Sequence, residues 1–139
     1  MINKMGILFV CKYNRFRSRV AESYFNKVNK NISVSSAGIF IGRSISPRMK
    51  AEVKKYGIII SGTPRAISSK LLSETDMVII VADDVPKSLF KFNGKYPQRV
   101  IKWSIKDSRS SDKLAVDITV RKIINNIDSL NNKLKEVMK

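Results

Sequence analysis

The chain has 139 residues, 43% hydrophobic and 27% charged, with 27 basic against 11 acidic side chains and a net charge of +16. That length holds one domain, residues 1–139, with a core of its own, and that apolar content excludes a disordered chain. A single cysteine excludes an internal disulfide, the lack of histidine removes the usual zinc ligand and general base, and no apolar run reaches the length of a bilayer span.

Met5-Gly6-Ile7-Leu8-Phe9-Val10 is an apolar run that predicts the first strand. A polar loop follows from Cys11, and the spacing of Val20, Ala21, Tyr24, Phe25 and Val28 predicts a helix from Ser18 to Asn29. Ile32-Ser33-Val34-Ser35-Ser36 alternates as a strand does, and Ala37-Gly38 opens a loop reaching Ile45 with Ile39, Phe40 and Ile41 in it. Ser46-Pro47 starts a second helix that runs to Tyr56 and stops at Gly57. Ile58-Ile59-Ile60 is a short strand or an apolar connection, and Ser61-Gly62-Thr63-Pro64 is a turn.

A short helix is expected over Ser68–Thr75, ahead of the continuous apolar run Asp76–Ala82. Such runs are central parallel strands, buried on both faces. Asp83–Phe90 reads as a helix with Pro86 in its first turn, and Phe92–Pro97 as a loop. Arg99–Trp103 is the last strand, and Ser104–Asp112 is polar and turn-rich. Val116, Val120, Ile123, Ile124, Ile127, Leu130, Leu134 and Val137 mark one face of a final helix. Strands alternating with helices predict a three-layer α/β/α domain around a mainly parallel four-stranded sheet. Ligands of such sheets bind at the carboxyl ends of strands, and Cys11, Phe40 and Asp107 all fall in loops after strands.

The loop Val10-Cys11-Lys12-Tyr13-Asn14-Arg15-Phe16-Arg17-Ser18 carries the chemistry. A short loop running into a helix can turn several backbone N–H groups inward, and the helix's first turn adds its unpaired donors. Such a nest holds a tetrahedral dianion, and Arg17 supplies a planar fork for two of its oxygens. The same field favours a thiol in its thiolate form, and a hydroxyl at Ser18 can donate to the sulfur. Cysteine, five residues, arginine, serine is therefore what a phosphate-ester-cleaving thiolate needs. The plainer alternative is a small buried hydrophobe after a strand.

These features together resemble the low-molecular-weight protein tyrosine phosphatase family. The resemblance rests on the first strand, Cys11 to Ser18, Ser36-Ala37-Gly38, Gly57, Thr63-Pro64-Arg65-Ala66, Asp76 to Val81 and an aspartate in a late loop. It implies that residues Lys12, Tyr13, Asn14, Arg15, Phe16, Arg17 and Ser18 bind phosphate, with Asn14 as the family's loop asparagine and Ser18 as its thiolate-supporting serine. It also makes the loop after Gly38 a wall of the cleft, with Phe40 as the candidate aromatic; a core anchor is the other reading of that residue. The chain departs from the family in four places. Tyr13 replaces a glycine, Phe16 a second cysteine and Arg19 a proline, and Asp107-Ser108-Arg109 stands where Asp-Pro-aromatic is usual.

Cleavage also needs an acid for the leaving oxygen, and without histidine the choice falls on a carboxyl. Asp107 lies nearer the strand end and matches the family's acid loop, whereas Asp112 reads as the cap of the last helix. The expected function is a cysteine-dependent phosphomonoester hydrolase, a protein tyrosine phosphatase acting through a cysteinyl-phosphate, without metal or cofactor. Cys11, Arg17 and Asp107 are its catalytic residues. Its partners would be phosphorylated proteins or small phosphomonoesters, with acidic surfaces favoured by the positive charge and a cytoplasmic location. An arsenate reductase of the same fold is a rival, disfavoured because the thioredoxin-coupled type relays oxidation through further cysteines. A non-catalytic anion- or nucleic-acid-binding domain is another, although no basic–aromatic alternation of a single-strand stacking platform occurs.

Overall fold

The computed structural model describes residues 5–91, 97 and 99–137. Its strands are β1 (Gly6–Cys11), β2 (Ser33–Gly38), β3 (Met77–Val81) and β4 (Arg99–Trp103). Its α-helices are α1 (Arg17–Val28), α2 (Pro47–Val53), α3 (Ser69–Ser73) and α4 (Lys113–Val137). The four strands are parallel, in the order β2-β1-β3-β4. Every residue of β1 and β3 is buried, as a central strand covered on both faces must be.

Alternation along the strands sorts the core into two halves. Ile7, Phe9, Met77, Ile79 and Val81 face one way and pack with α1, α2 and α4 through Val20, Phe25, Val53, Val120, Ile123 and Ile127. Leu8, Val10, Val78 and Ile80 face the other way, against Leu72 of α3 and Val85 and Phe90 beyond β3. The architecture is therefore helix, sheet, helix, as expected. Phe9 sits at its centre with its ring 6.0 Å from that of Phe25 and 6.1 Å from that of Trp103. Among the described residues no helix is long and apolar enough to cross a membrane.

Several boundaries differ from the sequence reading. β2 runs on through Ala37 and Gly38, where a loop was expected, because Gly38 still pairs with Cys11. The second helix is α-helical only to Val53 and tightens into a 3-10 turn over Lys54–Tyr56 before Gly57. Ile58–Ile60 is a connection, with Ile58 and Ile60 buried and Ile59 exposed. Asp83–Phe90 is not a helix: only Lys87–Phe90 forms a 3-10 turn. The Asp83 N–H is drawn instead to the carbonyl of Ile105 at 3.0 Å, and Pro86 has extended backbone ahead of the turn. The loop expected over Phe92–Pro97 lies, apart from Pro97, outside the described residues.

The strand order reverses between β1 and β3, so the loops leaving their carboxyl ends part and open a crevice. Far from it, the Tyr24 hydroxyl of α1 donates to Asp128 of α4 at 2.7 Å. Burial, then this hydrogen bond and the carboxylate's charge, push the Tyr24 phenol up to about 12. The folded state thus holds that proton more tightly than the unfolded chain, where a phenol titrates near 10. The contribution is present below about pH 10 and is lost as pH rises toward about 12. Chemical unfolding of the wild type and Tyr24→Phe should show a stability difference that is constant below about pH 10 and shrinks between about pH 10 and about pH 12.

Candidate active site

The apolar strand β1 delivers Cys11 to the crevice, and α1 starts six residues later at Arg17. Between them Asn14 takes φ 53°, a left-handed conformation that asparagine tolerates better than most residues. No side chain caps the start of α1. Among the described residues the backbone N–H groups of residues 13–18 have no protein acceptor, which leaves a run of donors beside the sulfur.

Asn14 is buried and organises what lies behind the loop. Its Oδ1 accepts the backbone N–H of Arg65 at 2.9 Å, a group that can only donate, and this fixes which way the amide points. Its Nδ2 therefore donates to Ser18 Oγ at 2.8 Å and to Ser36 Oγ at 3.0 Å. The Ser36 hydroxyl in turn donates to Glu22 Oε1 at 2.6 Å. Ser18 Oγ lies 2.9 Å from Cys11 Sγ. With Asn14 donating to that oxygen, the hydroxyl's proton is available to the sulfur.

Arg17 is 2% exposed, and its guanidinium reaches across the crevice to the ends of β3 and β4. Nη1 donates to the Ile105 carbonyl at 2.9 Å and Nη2 to Asp84 Oδ1 at 3.1 Å. Asp83 Oδ1 lies 3.5 Å from Nη1 and Asp107 Oδ1 3.7 Å from Nε. The sequence reading missed Asp83 and Asp84. The available signal was two adjacent acids directly after a buried strand, in a chain with only 11 of them.

A cleft of about 430 Å³ opens over this constellation, lined among others by Cys11, Tyr13, Arg15, Arg17, Asp107 and Arg109. Of the residues expected to bind phosphate, Phe16 also lines it, while the side chains of Lys12, Asn14 and Ser18 do not. Phe40 is not among the lining residues either. Its ring lies 6.0 Å from that of Tyr13, so Tyr13 holds the wall position and Phe40 backs it. The Asp107 side chain is 60% exposed at the rim. Asp112 is absent from the lining and accepts the Ala115 N–H at 3.0 Å, a helix-capping contact.

The model of the low molecular weight phosphotyrosine protein phosphatases matches residues 6–135. The chain belongs to that family. Arsenate reductase 2 of Staphylococcus epidermidis is 30% identical over 89 residues, 63% of this chain and 67% of that protein. A protein-arginine-phosphatase of Bacillus subtilis is 26% identical over 103 residues, 69% of this chain and 68% of that one. A low molecular weight protein tyrosine phosphatase structure from T. tengcongensis superposes with a TM-score of 0.81 at 25% identity, covering 94% of this chain and 99% of the other.

The family's Ser-Ala-Gly stretch has a physical reason in this chain. A Cβ on Gly38 would come within 2.6 Å of the Asn14 nitrogen and of the Tyr13 carbonyl carbon, both backbone atoms of the loop from Cys11 to Ser18. β2 can end against that loop only without a side chain there. Gly38→Ala should therefore displace the loop and lower kcat/KM for a small aryl phosphate by roughly a hundredfold, as a shift of about 1 Å can. Steady-state kinetics, beside circular dichroism showing an intact fold, checks this.

Proposed function

We propose that this chain is a protein tyrosine phosphatase that hydrolyses phosphomonoesters through a cysteinyl-phosphate. The observation that carries the reading is Cys11 Sγ, 2.9 Å from Ser18 Oγ, in a cleft that also contains Arg17 and Asp107. In the first step the sulfur forms a bond to phosphorus as the bond to the ester oxygen breaks. The loop amides hold the other three oxygens, joined by Arg17 once its guanidinium turns from the Ile105 carbonyl and Asp84 toward the phosphate. Asp107 gives its proton to the leaving oxygen, and as carboxylate it then takes one from the water that cleaves the thiophosphate.

Two features favour phosphotyrosine over the substrates of the relatives. The Tyr13 ring, backed by Phe40, offers an apolar wall to an aryl group. Arg15 and Arg109 line the same cleft, so a guanidinium-bearing leaving group would meet like charge. As for arsenate reduction, Cys11 is the one thiol in these 139 residues, and a relay through further cysteines of this sequence has no second member.

Cys11→Ser should abolish turnover of aryl phosphates while inorganic phosphate still binds, because the nest is made of backbone. Equal activity in that variant would remove the thiolate mechanism and leave an anion-binding domain. Arg17→Lys should also fail, since a point charge cannot reproduce the bidentate fork. Asp107→Asn should slow phenyl phosphate by about a hundredfold or more and an activated nitrophenyl ester by less, because the better leaving group needs less protonation. Rates across a leaving-group series for Asp107→Asn and Asp112→Asn decide which aspartate is the acid.

A further inference from the structure

The catalytic cleft continues past Tyr13. A second cavity of about 480 Å³ adjoins it, lined by Tyr13, Arg15, Ile41, Gly42 and Arg43, so the two share Tyr13 and Arg15. The outer wall of this extension is bonded to the phosphate-binding loop itself. Phe40 N–H donates to the Lys12 carbonyl at 2.9 Å and Gly42 N–H to that of Tyr13 at 3.1 Å. Arg15 Nε donates to the Ser44 carbonyl at 3.2 Å, which orients the rest of its guanidinium away from that bond. The groove is therefore preformed.

Its chemistry is apolar and cationic at once. Tyr13, 43% exposed, and Ile41, 72% exposed, are the large apolar side chains of its lining, and the Phe40 ring lies 6.0 Å from that of Tyr13. Among the described residues Arg43 and the terminal nitrogens of Arg15 have no carboxylate partner, and no carboxylate lines this cavity. This contrasts with Arg17, which is surrounded by three aspartates. Charge left uncompensated beside exposed apolar surface is what an acidic, partly apolar partner complements.

We propose that this extension is a docking groove for the acidic segment of a protein substrate that flanks its phosphorylated residue. The proposal rests on the phosphatase reading above and names the substrate class for the same site. An extended peptide places successive side chains on opposite sides, about 3.3 Å apart along the chain. With the phosphoryl group over Cys11, an acidic side chain reaches Arg15 or Arg43 while an apolar neighbour covers Ile41. Nucleic acid fits less well. The Tyr13 and Phe40 rings are inclined at 37° to each other, and Lys12 Nζ lies 5.3 Å from the Tyr13 centroid. Successive bases need parallel, open faces, and Ile41 gives none.

The test is binding to the Cys11→Ser protein, which cannot turn substrate over, using phosphotyrosine peptides flanked by glutamate or by lysine. The glutamate-flanked peptide should bind about tenfold more tightly, with the advantage shrinking as salt is raised. Adding Arg43→Glu should bring the ratio to about one or invert it; a misfolded variant would instead lose both peptides alike. Equal affinities in the Cys11→Ser protein, or a ratio unmoved by Arg43→Glu in a variant that still binds either peptide, overturn the proposal. So does a 5′-phosphorylated oligoribonucleotide that displaces the acidic peptide at lower concentration than the peptide's own competitor. Hydrolysis of nitrophenyl phosphate by the wild type is measured separately. Its absence would sink the phosphatase reading while the peptide ratio still judges the groove.

Discussion

The guanidinium of Arg17 is buried at the carboxyl end of the sheet, and much of the structure follows from that. An unpaired guanidinium charge in such a place costs several kcal/mol. The carbonyl of Ile105 and the carboxylates of Asp83 and Asp84 supply the compensation, with Asp107 Oδ1 at the rim 3.7 Å from Nε. Those groups come from the ends of β3 and β4, whereas Arg17 comes from the helix after β1. The strand order β2-β1-β3-β4 puts these ends side by side. The Asp83 N–H shares the Ile105 carbonyl with Arg17, and this contact takes the place of a helix over Asp83–Phe90. A site requirement has here overridden a local preference.

The other half of the site is neutral and directional. From the Arg65 N–H, hydrogen bonds run through Asn14 and then divide, one branch to Ser18 and Cys11, the other to Ser36 and Glu22. The Arg65 N–H, which can only donate, sets the direction of the Asn14 amide and so of its bonds to Ser18 and Ser36. Residues 65–67 are placed for this by pairing with the end of β2, where Gly38 N–H donates to the Arg65 carbonyl at 2.8 Å and Ile67 N–H to that of Gly38 at 2.9 Å. The geometry around the sulfur thus depends on β2 as much as on β1. The Ser-Ala-Gly and Thr-Pro-Arg-Ala stretches, far apart in sequence, serve one end of one strand.

What could be read from the sequence divides along the same line. The strands, the two long helices and the cysteine loop announce themselves through apolar periodicity and one dense local motif, so burial patterns such as that of β3 and the inner face of α4 follow from the order of apolar residues along the chain. The contacts of Arg17 do not. Asp83 and Asp84 lie more than sixty residues from it in the chain, and nothing local marks an aspartate as facing a guanidinium rather than water. The expected helix over Asp83–Phe90 and the placing of Phe40 on the cleft wall diverge for a related reason. Both depended on what neighbouring strands and rings present, which only the packed sheet defines. Val137 completes the α4 periodicity in sequence yet is exposed, because the helix extends past the core it covers.

The residues that depart from the usual family loop read as one set. Phe16, where a second cysteine is usual, is buried within the cluster formed by β1, α1 and α4, so packing occupies the place of a thiol. Arg19, where a proline is usual, is also buried, and burial lowers its guanidinium below the ordinary range despite the nearby Glu22 carboxylate. It holds the Ser61 carbonyl, tying the connection after Gly57 to the helix that begins at the active site. Tyr13, in place of a glycine, turns a bare stretch of loop into an aromatic wall backed by Phe40 and flanked by Lys12. None of these changes removes a partner from the Asn14 or Arg17 networks. They alter what surrounds the sulfur while leaving both hydrogen-bond networks in place.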